Sequence, residues 1–292
     1  MGSVKKAVIP AAGFGTRFLP VTKAQPKEMI AVVDRPAIQY VVEEAVAAGI
    51  EDILIVSASG KRSMEDHFDR MWELEAALEA KGKEAPLKGI RDLADMAHIH
   101  FVRQGEALGL GHAVGVGASH VGDDSFAVLL PDDLMVDQSH LLKAMIALHD
   151  EHDTSVVALK EYPLEEVENY GCARPEAIDG RDDVVSITEI VEKPAPENAP
   201  SNLAVMGRYV FTAEIFENLA KITPGAGGEL QLTDAMAMLI GAGGLLGQVF
   251  ETGRFDIGQP ALFLETTVEL AAKHPELGPE FTRFLKDFVA GL

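Results

Sequence analysis

The chain has 292 residues, 47% of them hydrophobic, with a formal net charge of −21 and a single cysteine, Cys172. So acidic a surface repels nucleic acid and anionic membranes, so neither is expected as a partner. One cysteine rules out an intrachain disulfide and fits a reducing, cytoplasmic setting, and no stretch approaches the ~18 apolar residues of a membrane span.

Residues 4–10 read as a short buried strand. Lys5 and Lys6 stand near its start, but Pro10 breaks the apolar run, so a strand and not a signal peptide is expected. It runs into Ala11-Ala12-Gly13-Phe14-Gly15-Thr16-Arg17. A Gly-x-Gly turn leaving a strand lets backbone N–H groups approach a polyphosphate with no Cβ in the way. Arg17 and Lys27 add positive charge beside it. The dinucleotide fingerprint would need a third glycine where Phe18 stands, and Asp34 lies in the turn composition Val33-Asp34-Arg35-Pro36. A P-loop would need Gly-Lys-Ser/Thr, which is absent. A bare Gly-x-Gly more often serves turn geometry alone; the two cations point instead to a nucleoside triphosphate.

A helix is predicted from near Pro36, with Ile38, Val41, Val42, Ala45 and Val46 on one face and Gly49 at its C′ position. Residues 53–56 form a wholly apolar strand. Strand, helix, strand in that order gives a parallel pair with a right-handed crossover, in a sheet covered on both faces. A helical excursion follows over about 61–98. Met64, Phe68, Met71 and Leu78 make one packing stripe, Lys81-Gly82-Lys83 ends it, and a short helix spans about 89–96. Residues 100–103 resume as a strand. The glycines from Gly105 to Gly115 predict a loop before a helix through Ala118. Strand 126–130 stops at Pro131-Asp132-Asp133, and a helix over 141–149 has Ser139 as its expected N-cap. Strands at 154–159, 184–192, 203–211 and 245–251 follow, with helices at 213–220, 230–240, 260–273 and 279–289. The expectation is one mixed-sheet α/β domain over 1–292, closed by C-terminal helices at about 260–290.

Three sites carry candidate chemistry. Asp132 follows a buried strand at the carboxyl end, where α/β sheets place ligands, and a carboxylate there suits Mg²⁺; a solvated turn is the equal alternative. Glu192-Lys193-Pro194 ends a strand, and the proline pushes Lys193 toward an extended conformation. Strict alternation would put Glu192 and Lys193 on opposite faces, so a bulge or the strand's end must intervene if both serve one site. The amide of Gln104 both donates and accepts, which suits the imide edge of uracil. His98 with His100, and His149 with His152, lack cysteine or carboxylate company at metal spacing and read as surface or packing.

The run Gly13-Phe14-Gly15-Thr16-Arg17-Phe18-Leu19-Pro20-Val21-Thr22-Lys23, followed by Pro26-Lys27-Glu28-Met29, resembles the sugar-1-phosphate nucleotidyltransferase family, most closely its bacterial uridylyl-transferring branch. Later motifs stand in the family's order over nearly the whole chain. The resemblance implies a Rossmann-like three-layer sandwich, α/β, with a mixed, mostly parallel sheet. It implies transfer of a uridylyl group from UTP to glucose 1-phosphate, giving UDP-glucose and pyrophosphate, with Mg²⁺ as cofactor and a homo-oligomer, dimer or tetramer.

The resemblance also implies roles. Ala11, Ala12, Gly13, Gly15, Thr16 and Glu28 would surround the nucleotide, Gln104 and Gly109 the base, with Asp133 beside them. Arg17, Lys27, Asp132 and Lys193 would serve catalysis, with Asp132 and Asp256 as metal ligands. Asp256 rests on the resemblance alone. Gly171, Glu192, Lys193, Gly207, Tyr209 and Glu229 would hold the sugar phosphate. With a second phosphate pKa of roughly 6, the sugar phosphate is already a dianionic nucleophile at neutral pH. No general base and no covalent intermediate are then needed; positioning and electrostatics suffice. Thymine offers the same imide edge as uracil, so a thymidylyltransferase is an alternative. A non-catalytic nucleotide-sugar sensor is another, which the presence of Arg17 and Asp132 disfavours, and the missing third glycine disfavours a dehydrogenase.

Overall fold

Strand β1 (Lys6–Pro10) runs through the middle of the parallel half of a nine-stranded sheet. The computed structural model describes residues 3–136, 139–242 and 244–292. After β1 come three short 3₁₀ turns and a two-residue ribbon, β2 (Ala31–Val32) with β3 (Arg35–Pro36), which delivers the chain into α1 (Ala37–Ala47). Gly49, at φ 97°, lies just past that helix as expected. Strand β4 (Asp52–Ser57) pairs parallel with β1.

Three helices fill the excursion: α2 (Arg62–Phe68), α3 (Trp72–Ala80) and α4 (Glu84–Ala94). The single apolar stripe expected there is not continuous. Met64 and Phe68 are buried, but the chain breaks after Phe68 and leaves Met71 exposed. Glu75 takes the protected position instead, because two guanidinium groups, Arg70 and Arg91, converge on its carboxylate.

Strand β5 (His98–Arg103) returns to the sheet beside β4. Helices α5 (Leu110–Gly115) and α6 (Ala118–Val121) lead to β6 (Phe126–Leu129), on the other side of β1. Then come β7 (Asp133–Met135), α7 (His140–His152) and β8 (Ser155–Glu161). Ser139 precedes α7 in a left-handed conformation (φ 63°) and does not cap it; its hydroxyl donates to the Glu44 carbonyl and ties α7 to α1. Strand β9 (Gly171–Ile178), which the sequence reading lacks, forms a long hairpin with β10 (Arg181–Glu192). The chain closes with β11 (Leu203–Phe211), α8 (Glu214–Leu219), α9 (Leu232–Ala242), β12 (Leu245–Val249), β13 (Arg254–Asp256), α10 (Pro260–Lys273) and α11 (Gly278–Ala290).

The sheet order is β5-β4-β1-β6-β11-β8-β12-β10-β9. The first four strands are parallel, and β11 joins antiparallel to both β6 and β8. Alternate residues feed two cores. Ala7, Ile9, Ile53 and Ile55 pack with α1 and α7; Val8, Leu54 and Val56 pack with α5, α8 and α9. Each of these valine, leucine and isoleucine side chains contributes roughly 1.5–3 kcal/mol by leaving water, which explains the apolar strands seen in the sequence. From β1 the chain moves out to β4 and β5, then crosses back to β6. The loops after β1 and β6 therefore diverge, and a crevice opens at the carboxyl ends of the strands.

Candidate active site

Beyond β1, the Ala11 N–H donates to the Val56 carbonyl at 2.8 Å and holds the chain against β4 before it turns. Gly15 adopts φ 65°, and Thr22 Oγ1 donates to its carbonyl at 2.8 Å. A Cβ at Gly15 would sit 3.1 Å from both Lys27 Cβ and Thr22 Cγ2, so the position is closed to side chains in conformation and in space. At Gly13 a Cβ would meet nothing within 4 Å. A cavity of about 370 Å³ lies against this turn, lined among others by Gly13, Thr16, Lys27, Gln104, Gly109 and Glu229.

Two segments that look independent in sequence make its far wall. Leu230 N donates to Leu108 O at 2.7 Å, and Gly111 N donates to Leu230 O at 2.8 Å. Gly109 sits at φ 106°, and a Cβ there would lie 2.8 Å from Glu229 Cβ and from Leu230 O. Gln104 Nε2 donates to Gly109 O at 3.2 Å and meets His112 Nδ1 at 3.0 Å, which fixes the amide on the cavity wall. Glu229 is therefore beside Gln104 and Gly109, and not beside Glu192 and Lys193 where the sugar phosphate was expected.

Glu28 lines the floor, but its carboxylate is already engaged. Lys61 Nζ donates to both of its oxygens at 2.9 Å and to Ala11 O at 2.6 Å. Both side chains are almost wholly buried. Burial pulls the Lys61 ammonium below its usual range, with Glu28 opposing. Lys61 does not stand out in the sequence, since a lysine after a glycine turn gives no sign of a partner 33 residues upstream.

At the strand tips Lys27 Nζ meets Asp132 Oδ2 at 2.7 Å. Burial pushes the Asp132 carboxyl up, but the Lys27 ammonium outweighs it and holds it below the ordinary carboxylate range. The Lys27 ammonium is raised in turn: burial works against it, and Asp132 overrides. Strand β13 pairs antiparallel with β7, Asp256 opposite Asp133, and Ile257 N donates to Asp132 O at 2.9 Å. This ladder carries Asp256 to Asp132 across 124 residues of sequence. A Cβ placed on Gly258 would lie 3.1 Å from Asp256 Oδ1, 3.6 Å from Asp132 Oδ2 and 3.8 Å from an Arg17 nitrogen. Two carboxylate oxygens and a guanidinium thus border one small space.

A second cavity, about 290 Å³, adjoins the first and shares Asp132 with it. Arg17, Gly171, Glu192, Lys193, Gly207 and Tyr209 are on its wall. Lys193 is not extended, as Pro194 would predict, but at φ 45°. It lies just beyond the end of β10, its N–H held by the Tyr170 carbonyl at 3.0 Å. The left-handed step breaks strand alternation and lets Glu192 and Lys193 face one cavity, at a cost of order 1–3 kcal/mol that the surrounding contacts must offset. Glu192 Oε2 accepts from Thr233 Oγ1 at 2.6 Å, and a Cβ on Gly171 would crowd both groups at 3.2–3.3 Å.

Asp133 is placed differently from the expectation. It lines this second cavity and not the first, and its oxygens accept from the Gly207 N–H at 3.0 Å and from Arg254 at 2.5 Å. Burial pushes its carboxyl up despite Arg254. Gly207 is glycine because a Cβ would fall 2.4 Å from Asp133 Oδ2. Behind it the buried Arg208 makes a bidentate pair with Glu44 of α1, at 2.9 and 2.7 Å, and donates to the carbonyls of Leu130 and Asp133. This fixes the backbone on both sides of Asp132. The sequence sets Arg208 inside an otherwise apolar strand but gives no sign of its partner Glu44, 164 residues away.

A family description, "Nucleotidyl transferase", matches residues 6–273. The chain is 47% identical to a UTP–glucose-1-phosphate uridylyltransferase of Bacillus subtilis, over 98% of this chain and 96% of that protein. It is similar in structure to a UTP-bound UGPase from Acinetobacter baumannii, with a TM-score of 0.90 and 43% identity, covering 97% and 98% of the two chains. It is also similar to a UDP-glucose pyrophosphorylase complexed with UDP-glucose, with a TM-score of 0.84 and 42% identity, covering 93% of this chain and all of that one.

Proposed function

The chain belongs to the nucleotidyl transferase family, and on that footing we propose that it transfers a uridylyl group from UTP to glucose 1-phosphate, releasing UDP-glucose and pyrophosphate. The observation that carries this reading is the meeting of two cavities at one carboxylate, Asp132. The first has a glycine turn and an amide suited to a nucleotide; the second has Glu192 and Lys193, suited to a sugar and its phosphate. A thymidylyl transfer is not favoured, since the relative 47% identical to this chain is named for UTP. A sensor is not favoured either, because Arg17, Lys27 and Asp132 stand together at the junction.

In this reading the main chain of Ala11, Ala12, Gly13, Gly15 and Thr16 follows the ribose and triphosphate, and Gln104 with the Gly109 backbone meets the base. Glucose 1-phosphate enters the second cavity, its hydroxyls toward Glu192 and its phosphate toward Lys193. Arg17 and Lys27 lie between the two anions, where negative charge gathers as the bond to the leaving pyrophosphate lengthens. The attacking phosphate oxygen is already ionised, so no side chain need remove a proton. Holding both anions in line is the main task. Asp132 and Asp256 fit Mg²⁺: they are hard oxygen donors bordering one space, and Mg²⁺ takes one or two carboxylates plus phosphate oxygens and water. When bound there it would supply countercharge to the triphosphate and to pyrophosphate.

We further propose that the chain acts as one domain, which the continuous sheet from β5 to β9 supports. A homo-oligomer, dimer or tetramer, is supported by the exposed apolar residues Phe284, Phe288 and Val289 on α11. A cytoplasmic site of action is supported by the lone buried thiol; among the described residues no helix is long and apolar enough to cross a membrane.

Pyrophosphate release with Mg²⁺ from UTP, dTTP, ATP, CTP and GTP, each with and without glucose 1-phosphate, tests the reading. Release from UTP that requires the sugar phosphate supports it. Preference for dTTP, or no release from protein that still binds UDP-glucose, overturns it.

A further inference from the structure

At the other end of the sheet three side chains converge that the reaction does not use. Asp52 opens β4, and the parallel register sets Leu54 opposite His100 of β5, so Asp52 and His100 share a face. Helix α6 brings His120 onto that face. His120 Nε2 lies 2.8 Å from Asp52 Oδ1, and His100 Nε2 lies 3.6 Å from the same oxygen. The imidazole centroids are 4.9 Å apart. Among the described residues no other three histidine, cysteine or carboxylate ligand atoms fall within such a radius of one another. In sequence His100 has no carboxylate at metal spacing; the sheet register supplies one.

Two imidazoles and one carboxylate make a donor set for borderline transition ions, Zn²⁺ above all, with a fourth position left for water. With Zn–ligand bonds near 2.0–2.1 Å, neighbouring ligand atoms stand roughly 3.3–3.4 Å apart in a tetrahedral shell. The Asp52–His120 contact would open by about half an ångström, and His100 would close by less. The frame is held in place: Lys6 Nζ donates to the carbonyls of His120 and Val121 at 3.2 and 3.0 Å. The net charge of −21 raises the local concentration of cations. Asp52 and His120 are partly buried while His100 is half exposed, so the site has walls and an entrance. A six-residue strand, roughly 20 Å, separates it from the crevice at the opposite strand ends.

We propose that Asp52, His100 and His120 bind a zinc-class divalent ion that joins β4, the edge strand β5 and α6. Mg²⁺, which prefers oxygen ligands, is a poor competitor for such a site.

The test is equilibrium dialysis of the full chain against Zn²⁺ in millimolar Mg²⁺, which occupies the oxygen-only sites. One equivalent of Zn²⁺ is expected. His100→Ala, at a half-exposed position that tolerates truncation, should weaken binding at least ~10-fold, as should His120→Ala, while Asp256→Asn leaves it unchanged. Zn²⁺ should raise the melting temperature of the parent protein and not that of His100→Ala. Stoichiometric binding that survives both histidine substitutions, or that is lost only in Asp256→Asn, overturns the proposal, as does no binding by the parent protein.

Discussion

Lys61 Nζ lies 2.9 Å from each carboxylate oxygen of Glu28, and the same ammonium is 2.6 Å from the carbonyl oxygen of Ala11. A buried ion pair is therefore anchored to the first residue of the glycine turn. Breaking such a pair leaves an uncompensated charge in the interior, which costs about 3–5 kcal/mol.

Lys61→Met should therefore unfold at markedly lower denaturant concentration than the parent, and the fraction that folds should show a raised KM for UTP. Adding Glu28→Gln removes the orphaned carboxylate and should restore part of the stability. It should not restore UTP affinity, because the tie to Ala11 is still missing. Denaturant titration with KM measurement on the two variants separates these effects. A Lys61→Met protein with unaltered UTP affinity would show that the tie does not shape the nucleotide loop.

Asp132 is the carboxylate on which both cavities border, and Lys27 holds it ionised. Asp132→Asn should lower kcat by ~10²-fold or more, in line with losing one charged group that acts on developing charge. Chelating divalent ions should abolish turnover in the parent protein, and Mg²⁺ should restore it. Asp256→Asn should raise the Mg²⁺ concentration needed for half-maximal rate. Full activity in Asp132→Asn removes that residue from the mechanism.

Cys172 is buried in the β9 strand. Burial pushes its thiol up to about 11, and the Glu192 carboxylate adds to the effect. At pH 8 the thiolate, which is the reactive form, is then roughly a thousandth of the total. Iodoacetamide should leave the native protein unmodified over hours at pH 8 and label one thiol rapidly once it is unfolded. Labelling of the native protein at the rate of a free cysteine would contradict the burial.

How far the sequence reveals this molecule depends on how local each interaction is. The strand read at 4–10, which the structure forms over Lys6–Pro10, the glycine turn and the helix ending before Gly49 are local patterns, and the structure has them. The hairpin strand β9 carries Arg174, Pro175 and Glu176 among its residues, exposes much of one side, and offers no apolar period to read. The site shows the same division. Asp132 is visible from its place after a buried strand, whereas Asp256 reaches it only through the β7–β13 ladder. Lys61, Arg208, Glu44 and Thr233 act through partners 33 to 164 residues away, and no spacing rule connects them. The wall of the first cavity likewise depends on the Leu108–Leu230 stitch, which makes Glu229 a neighbour of Gln104.

Lys193 combines a charge with a left-handed backbone, φ 45°, and two substitutions pull these apart. Lys193→Ala removes the ammonium but keeps the Cβ that makes the conformation unfavourable. Lys193→Gly removes both, and glycine avoids a penalty of about 1–2 kcal/mol in that region. Glycine also gains entropy in the unfolded chain, which offsets part of the advantage. Both variants should show a KM for glucose 1-phosphate raised by ~10-fold or more with UTP affinity nearly unchanged, since a charge-assisted contact to phosphate is lost in each. Lys193→Gly should nevertheless melt at or above the temperature of Lys193→Ala. If the alanine variant is clearly the more stable, the left-handed step is not held against strain, and the positioning of Glu192 and Lys193 needs another cause.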